Sequence, residues 1–595
     1  MRSVQTQLVR LRTIALLLTA SAVAIGGCGS SGSSSTGNAN PASIVPASAA
    51  FYASAVTNPS GKLKADELAA AQKLTHQTDP IGSLIGELQS ASGTSINFKR
   101  DIQPWLGDRA GVFISSIDLS SASSDLLGGG LTKLLSKDLF ESSSDGSGAD
   151  AVQGALVLDA SDLGKARSFL DDQAHKENAH ATSYKGVAYK VNTKSLASGI
   201  VGDFAVVGSE AGVKSVIDTS KGGASIASAP NYTKLSASAE TGAIANAYLS
   251  LDTLLGQTKG SDNSASLVNL LRKVLGGAGQ AYLSVVPTPN RIAVDIDTLP
   301  GTSSASTSAS SSASTSTSTS TSTGTSTAKA SSGSSGSGKS SDGAHATSAQ
   351  VLGQLPGDAW LALGIGNVDR TLGTGAAGLR ALVSLGSQLS IGPISLKGAL
   401  TPLVSKDVIH HDLSWIDSAA IFAGGSGLLN LQAGVVIGAK SSEGPRAAVS
   451  VLSNAYRKAG GTVSPVVIPG ADTAVMARVQ GLPLVLDIAA GNNKLVLGLG
   501  PTSVTEALNP SSTLASSAAY SSATGALGHG IEPSLLVDLP TVVGLLDTLG
   551  LNNQPTIATL FPYLQAITAL TAGGVQDLGN GVKRARVVVG LQQTQ

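Results

Sequence analysis

The sequence predicts an α+β protein made of two diverged copies of one α/β lobe, each with a largely antiparallel sheet, separated by a disordered Ser/Thr-rich linker. Three observations lead there. Short apolar runs pass directly into amphipathic helices or further strands, without the regular long crossovers that a parallel sheet needs. Six blocks of sequence recur in the same order on either side of residue 300. Between them, residues 301–349 offer almost no apolar side chain to bury, so ordering them would cost backbone entropy without return.

The chain opens "MRSVQTQLVRLR", basic and without an acidic residue, and continues into the apolar run Thr13 to Ile25. That run is shorter than the ~20 residues a bilayer-spanning helix needs. A basic head, a short apolar middle and a small-residue exit predict a secretory signal peptide over residues 1–27. No twin-arginine pair is present, so the general secretory route is expected. The exit, Ile25-Gly26-Gly27-Cys28, resembles the bacterial lipobox, and Cys28 is the only cysteine in the chain. With no second thiol it has no internal disulfide to form. The resemblance implies that Cys28 receives a diacylglycerol and becomes the mature N-terminus, a lipid anchor on the extracytoplasmic face of the cell membrane. Two acyl chains at about 0.8 kcal/mol per buried CH₂ hold a protein there durably. The glycine- and serine-rich remainder of residues 28–41 reads as a flexible tether.

The first lobe is expected over 42–300 and the second over 350–595. "VPASAAFYASAV" (45–56) corresponds to "LPGDAWLALGIG" (355–366), each a proline turn followed by a strand. "PWLGDRAGVFIS" (104–115) corresponds to "SWIDSAAIFAGG" (414–425); with Gly107 dropped, Trp105 aligns with Trp415, Asp108 with Asp417 and Phe113 with Phe422. Next comes a strand over Val152 to Leu158, with Ser161 as the expected cap of a helix burying Leu163, Ala166 and Leu170. Its counterpart has Pro445 in the first turn, an inward stripe of Ala448, Val449, Leu452 and Tyr456, and Gly460-Gly461 as the stop. A further strand–helix unit runs from Phe204, with Ser209 as cap and Val213, Val216 and Ile217 inward, to Gly222. Its partner runs from Leu495 through Pro501, Val504 and Leu508 to Asn509-Pro510. Two last pairs, "ANAYLSLDTLLG" (245–256) with "PSLLVDLPTVVG" (533–544) and "NRIAVDIDTL" (290–299) with "GVKRARVVVGL" (581–591), complete the match. Packing of the two lobes against one another is expected, because an open sheet leaves an apolar face to cover.

"VPASAAFYASAV", "INFKRDIQPWLGDRAGVFIS" and "DFAVVGSEAGVKSVID" resemble an uncharacterised family of actinobacterial exported lipoproteins, a domain of unknown function, with "PWLGDRAGVFI" as the most specific stretch. The resemblance implies location and fold and no activity. Trp105 and Phe113, matched in both halves, read as core anchors. Arg109 is replaced by Ser418 in the second half, which marks it as a candidate for a role peculiar to the first lobe.

Several function classes fall away. A net charge of zero with 13% charged residues gives no basic face for nucleic acid. Gly333 to Ser340, "GSSGSGKS", spells a P-loop but lacks the preceding strand and following helix, so no nucleotide is expected. Gly373 to Gly378, "GTGAAG", follows its nearest strand too late to cradle a dinucleotide. His410-His411-Asp412 is the one local group of metal-ligand types, and adjacent histidines point apart, so no metal or other cofactor is expected. Asp171, Asp172 and Glu177 read as a solvated face. No catalytic residue is assigned, and no enzymatic activity is expected. The leading expectation is a membrane-anchored envelope lipoprotein acting as a non-catalytic binding or scaffold protein for an unknown envelope protein. A carrier of lipid or another apolar ligand comes second, and an envelope hydrolase third.

Overall fold

The structure is a computed structural model that describes residues 39–78, 96–117, 152–257, 275–301, 346–368, 413–425, 430–478 and 485–592, with a few further positions at 272, between 390 and 408, and at 427. Cys28, most of the tether, the linker from 302 to 345, and the segments 333–340, 373–378 and 410–412 lie outside the described residues. Among the described residues no helix is long and apolar enough to cross a membrane.

Among the described residues, helices pack on one continuous sheet of twenty strands with antiparallel pairings, and Ser390–Ile391 with Ile394–Ser395 form a separate two-stranded ladder. The first ten are β1 (Phe51–Val56), β2 (Leu106–Ile117), β3 (Val152–Ala160), β4 (His180–Tyr184), β5 (Val187–Val191), β6 (Leu196–Val201), β7 (Phe204–Ser209), β8 (Ala245–Ser250), β9 (Ala278–Thr288) and β10 (Arg291–Pro300). The remainder are β11 (Ala359–Ile365), β12 (Ile416–Gly424), β13 (Gln432–Ala439), β14 (Thr462–Pro465), β15 (Thr473–Arg478), β16 (Val485–Gly491), β17 (Lys494–Leu499), β18 (Pro533–Asp538), β19 (Ile567–Gly579) and β20 (Val582–Leu591). From one edge the order is β4-β5-β6-β7-β3-β2-β1-β8-β9-β10, and β10 pairs with β20. From the other edge it is β14-β15-β16-β17-β13-β12-β11-β18-β19-β20. The connections are therefore the same read inward from either end. Even the isolated bridges agree, Pro46 to Ser225 in one half and Pro356 to Thr513 in the other.

Helices cover both faces of each half. α1 (Gly61–Thr75) and α2 (Leu163–Lys176) lie on one face, α3 (Glu210–Ser220) and α4 (Pro230–Ser238) on the other. In the second half α5 (Glu443–Lys458) takes the place of α2, while α6 (Gly500–Leu508) and α7 (Ala518–Leu527) take those of α3 and α4. The local signals act largely as read. Ser209 caps α3 by accepting from the Gly212 amide at 3.1 Å, and Val213, Val216 and Ile217 are buried beneath it. The cap of α2 is Asp162 rather than Ser161: its carboxylate accepts from the Lys165 amide at 3.0 Å, whereas the Ser161 hydroxyl donates to the Leu106 carbonyl. A carboxylate at this position also meets the positive helix end, which favours it over the hydroxyl. A helix begins at Ser348, inside the stretch read as linker, because Thr347 and Gln350 form a reciprocal capping box. Trp105, Phe113 and Phe422 are buried, each large side chain contributing roughly 2–3 kcal/mol by removal from water.

The two halves join at β10–β20. Asp295 stands opposite Arg586 and Asp297 opposite Arg584. Arg584 grips Asp297 with two hydrogen bonds of 2.7 and 2.8 Å, and Arg586 grips Asp295 with Nε to Oδ1 at 2.5 Å and Nη2 to Oδ2 at 2.9 Å. Glu240 accepts from Arg586 as well. Buried charges survive in this way only when paired and hydrogen-bonded on every side.

Candidate functional site

On the face covered by α3 and α4, the strands of the first half carry a row of aromatic side chains. Side chains alternate along a strand, so Tyr52, Tyr248 and Tyr282 share this face with Phe113. The register sets them side by side: Phe113 opposite Tyr52, Tyr52 opposite Tyr248, Tyr248 opposite Tyr282. Tyr232 descends from α4 onto the row, edge-to-face with Tyr52 (5.9 Å between centroids), Tyr248 (5.5 Å) and Tyr282 (5.9 Å). Such contacts contribute about 0.5–1.5 kcal/mol each beyond burial, and they fix the ring orientations.

Two residues along each strand, and so on the same face, lies a polar row, Ser54, Asn246 and Ser284, again matched strand to strand. The hydroxyls of Tyr52 and Ser284 and Oδ1 of Asn246 are buried and make no hydrogen bond. Arg109 shares the face, two and four residues before Gly111 and Phe113 on β2. Burial holds the Tyr52, Tyr232 and Tyr282 phenols well above the usual range, and the guanidinium of Arg109 pulls each of them partly back. The phenols are therefore held neutral, each with an O–H to offer. Together with a guanidinium they suit an acceptor-rich, anionic group on a ligand. Phenols held protonated are poor nucleophiles and poor bases.

The second half lacks the set. In register, Ala362 takes the place of Tyr52, Leu536 that of Tyr248 and Thr571 that of Tyr282. Ser418 stands where Arg109 does, and only Tyr520 on α7 repeats Tyr232.

The "PWLGDRAGVF" stretch frames this site. The Trp105 indole donates to the Asp101 carbonyl at 2.7 Å and packs against Phe169. A side chain at Gly107 would overlap the Asp159 carboxylate, which accepts from the Asp108 amide at 3.0 Å. Burial raises the Asp159 carboxyl above the ordinary range. A Cβ at Gly111 would lie 2.9 Å from Pro41 Cβ and 3.0 Å from the Tyr52 ring, so both glycines are required by close approach rather than by an unusual φ.

Of the residues weighed from sequence, Cys28 and His410-His411-Asp412 lie outside the described residues. Asp171 pairs with Lys190 at 2.8 Å on the surface, and Glu177 accepts from Asn192 at 3.0 Å. Among the described residues no cluster of three or more His, Cys, Asp or Glu side chains is placed to hold a metal. Sequence reasoning missed the tyrosines and the arginines of β20. Their signal was period-two placement, Arg584 and Arg586 on one face of an otherwise apolar strand.

A family model for proteins of unknown function, DUF3352, matches residues 11–584. No curated protein matches the chain. Among solved structures, TP0453 in crystal form I is similar over 44% of this chain and 80% of that chain, at 11% identity and a TM-score of 0.23. Its crystal form III is similar over 44% and 81%, at 12% identity and a TM-score of 0.22.

Proposed function

The chain belongs to the DUF3352 family of proteins of unknown function, and we propose that it is a lipid-anchored bacterial envelope protein that binds a partner without catalysing a reaction on it. The anchor is Cys28, in its lipobox-like setting behind the signal peptide. The chain is read as two copies of one unit, supported by the six sequence blocks and by the matching strand orders. One observation carries the binding role: among the described residues the cluster of Tyr52, Tyr232, Tyr248 and Tyr282 with Arg109 on a single face stands in the first half, where it includes buried polar atoms without a hydrogen bond, while in the second half Thr571 and Tyr520 alone keep a polar atom in that row. Duplication followed by divergence leaves one half to specialise and the other to complete the sheet. The ligand class is one that presents acceptor oxygens to Arg109 and the Tyr52, Tyr232 and Tyr282 hydroxyls.

A second reading, a carrier of lipid or another apolar ligand, draws on the opposite face of the central strands. There Leu249, Leu283, Val285, Val294, Ile296, Leu535, Val537, Leu570 and Val587 are only half-buried. Native mass spectrometry of the mature protein drawn from its own host membranes separates the two. A bound acidic species lost on Arg109→Gln supports the first reading. A bound lipid indifferent to that change favours the carrier. The membrane role is tested by fractionation: Cys28→Ser is expected to leave the membrane fraction, and unchanged membrane recovery overturns the anchor.

A further inference from the structure

The seam between β10 and β20 holds more than two ion pairs. Asp295 is the fifth residue of β10 and Arg586 the fifth of β20, and these two stand opposite each other. Exchanging one strand for the other about that point returns the same register: Asp297 faces Arg584, and the two places that correspond to them, Val588 and Ala293, also face each other. A β10 meeting a second β10 in this register would therefore set Asp295 against Asp295, buried. A β20 meeting a second β20 would set Arg586 against Arg586. Like charges directly opposite in a sheet are unfavourable even at a surface, and out of water they are prohibitive.

We infer that the β10 edge is a recognition surface that accepts only an arginine-bearing β20 edge, from the same chain or from a second copy, and refuses another β10. The helix ends reinforce this. Arg584 donates to the Ser238 carbonyl at the end of α4, and Arg586 donates to the Leu527 carbonyl at the end of α7, at 2.9 Å. One arginine thus closes a helix C-terminus in each half, where a cation meets the negative end of the dipole. Glu240 lies beside both guanidinium groups, adding a third acid from the first half. All the acids come from one half and both arginines from the other, so neither half can satisfy the seam alone. Specificity arises from the repulsion of wrong pairs as much as from attraction of the right one.

This inference takes its meaning from the two-copy reading, but its test does not depend on it. A protease site is placed in the segment 302–345 of the mature full-length chain, which is folded and then cut. The two pieces are expected to stay together as a one-to-one complex in native mass spectrometry, with no complex of like pieces. When two isotopically distinct cut samples are mixed, the pieces are expected to exchange only first half for first half and second for second. In the Asp295→Arg, Asp297→Arg variant the cut pieces are expected to associate at least roughly a hundred-fold more weakly. Exchanging the charges of both pairs (Asp295→Arg and Asp297→Arg with Arg586→Asp and Arg584→Asp) is expected to restore most of that loss. Should the reversed chain fail to fold, Asp295→Asn, which removes charge without a clash, still weakens association. Like–like complexes from the wild-type pieces, unchanged association in the reversed or Asn variants, or failure of the exchanged pairs to recover would each overturn the inference. The two-copy reading is judged separately with Asp295→Val, Arg586→Val: like pieces then pair only if the halves share one edge geometry.

Discussion

Asp295 and Arg586 lie nearly three hundred residues apart in the chain and directly opposite each other at the centre of its sheet, joined by two hydrogen bonds. The acid is fully buried and the arginine nearly so. The pair's net stabilisation is small, because desolvation offsets most of the attraction, yet breaking it leaves a charge with no solvent.

Asp295→Ala is therefore expected to cost about 3–5 kcal/mol in unfolding free energy. Replacing both partners with apolar residues, Asp295→Leu with Arg586→Met, is expected to cost much less than the sum of the single changes. Chemical denaturation of the four proteins in a double-mutant cycle measures this coupling. Additive effects would show that the two side chains act independently.

Glu67 is buried on α1, one turn before Ala70 and two before Leu74, which pack on Ile292 and Leu591. Burial lifts its carboxyl from an ordinary 4.5 to about 7, against a smaller opposing pull from Lys64. Between those values the folded chain holds a proton that the unfolded chain releases. Stability present at low pH is therefore lost as pH rises from 4.5 through about 7, by roughly 3 kcal/mol at most. Glu67→Gln is expected to remove that slope and to be the more stable protein above neutrality. Thermal melts across this pH range check it; parallel curves for the two proteins would contradict it.

Gly111→Ala is expected to destabilise by about 1–3 kcal/mol, since the new methyl meets Pro41 and the Tyr52 ring with no room to retreat. Tyr52→Ala combined with Gly111→Ala is expected to cost less than the two changes summed, because the small residue vacates the space. Denaturant midpoints measured on the four variants decide this.

Tyr52→Phe removes a buried hydroxyl that has no hydrogen-bond partner. The ligand-free protein is expected to gain about 1 kcal/mol, since an unsatisfied buried donor is a cost. Weaker retention of the acidic species proposed to bind beside Arg109 is expected at the same time. In the wild type, the buried Tyr52, Tyr282 and Tyr456 phenols are expected to ionise only as the protein unfolds in alkali, because burial raises all three. Ultraviolet titration of phenolate, followed beside circular dichroism, checks this. Ionisation of every tyrosine before unfolding would contradict it.

Much of the local structure was legible in the sequence, and the reason is local physics. Ser209, Pro501 and Gly222 act where they stand, through caps, a fixed φ and a left-handed stop, so no distant partner was needed to read them. The exchange of Ser161 for Asp162 as cap turned on a single residue's difference in charge. The candidate site was legible only as the oddity of Arg109 in one copy. Its companions, Tyr52, Tyr248 and Tyr282, sit in three strands brought together by register, and Tyr232 reaches them from a helix. Register across separate hairpins is a long-range property, which alternation within one strand does not reveal. The Arg584–Asp297 pair escaped notice for the same reason.

The most direct test of the anchored binding protein is the mass of its mature N-terminal peptide, taken from host membranes. The account predicts a chain beginning at Cys28, with a diacylglyceryl group on the sulfur and residues 1–27 removed. An unmodified Cys28, or a mature chain that begins at any other residue, would contradict it.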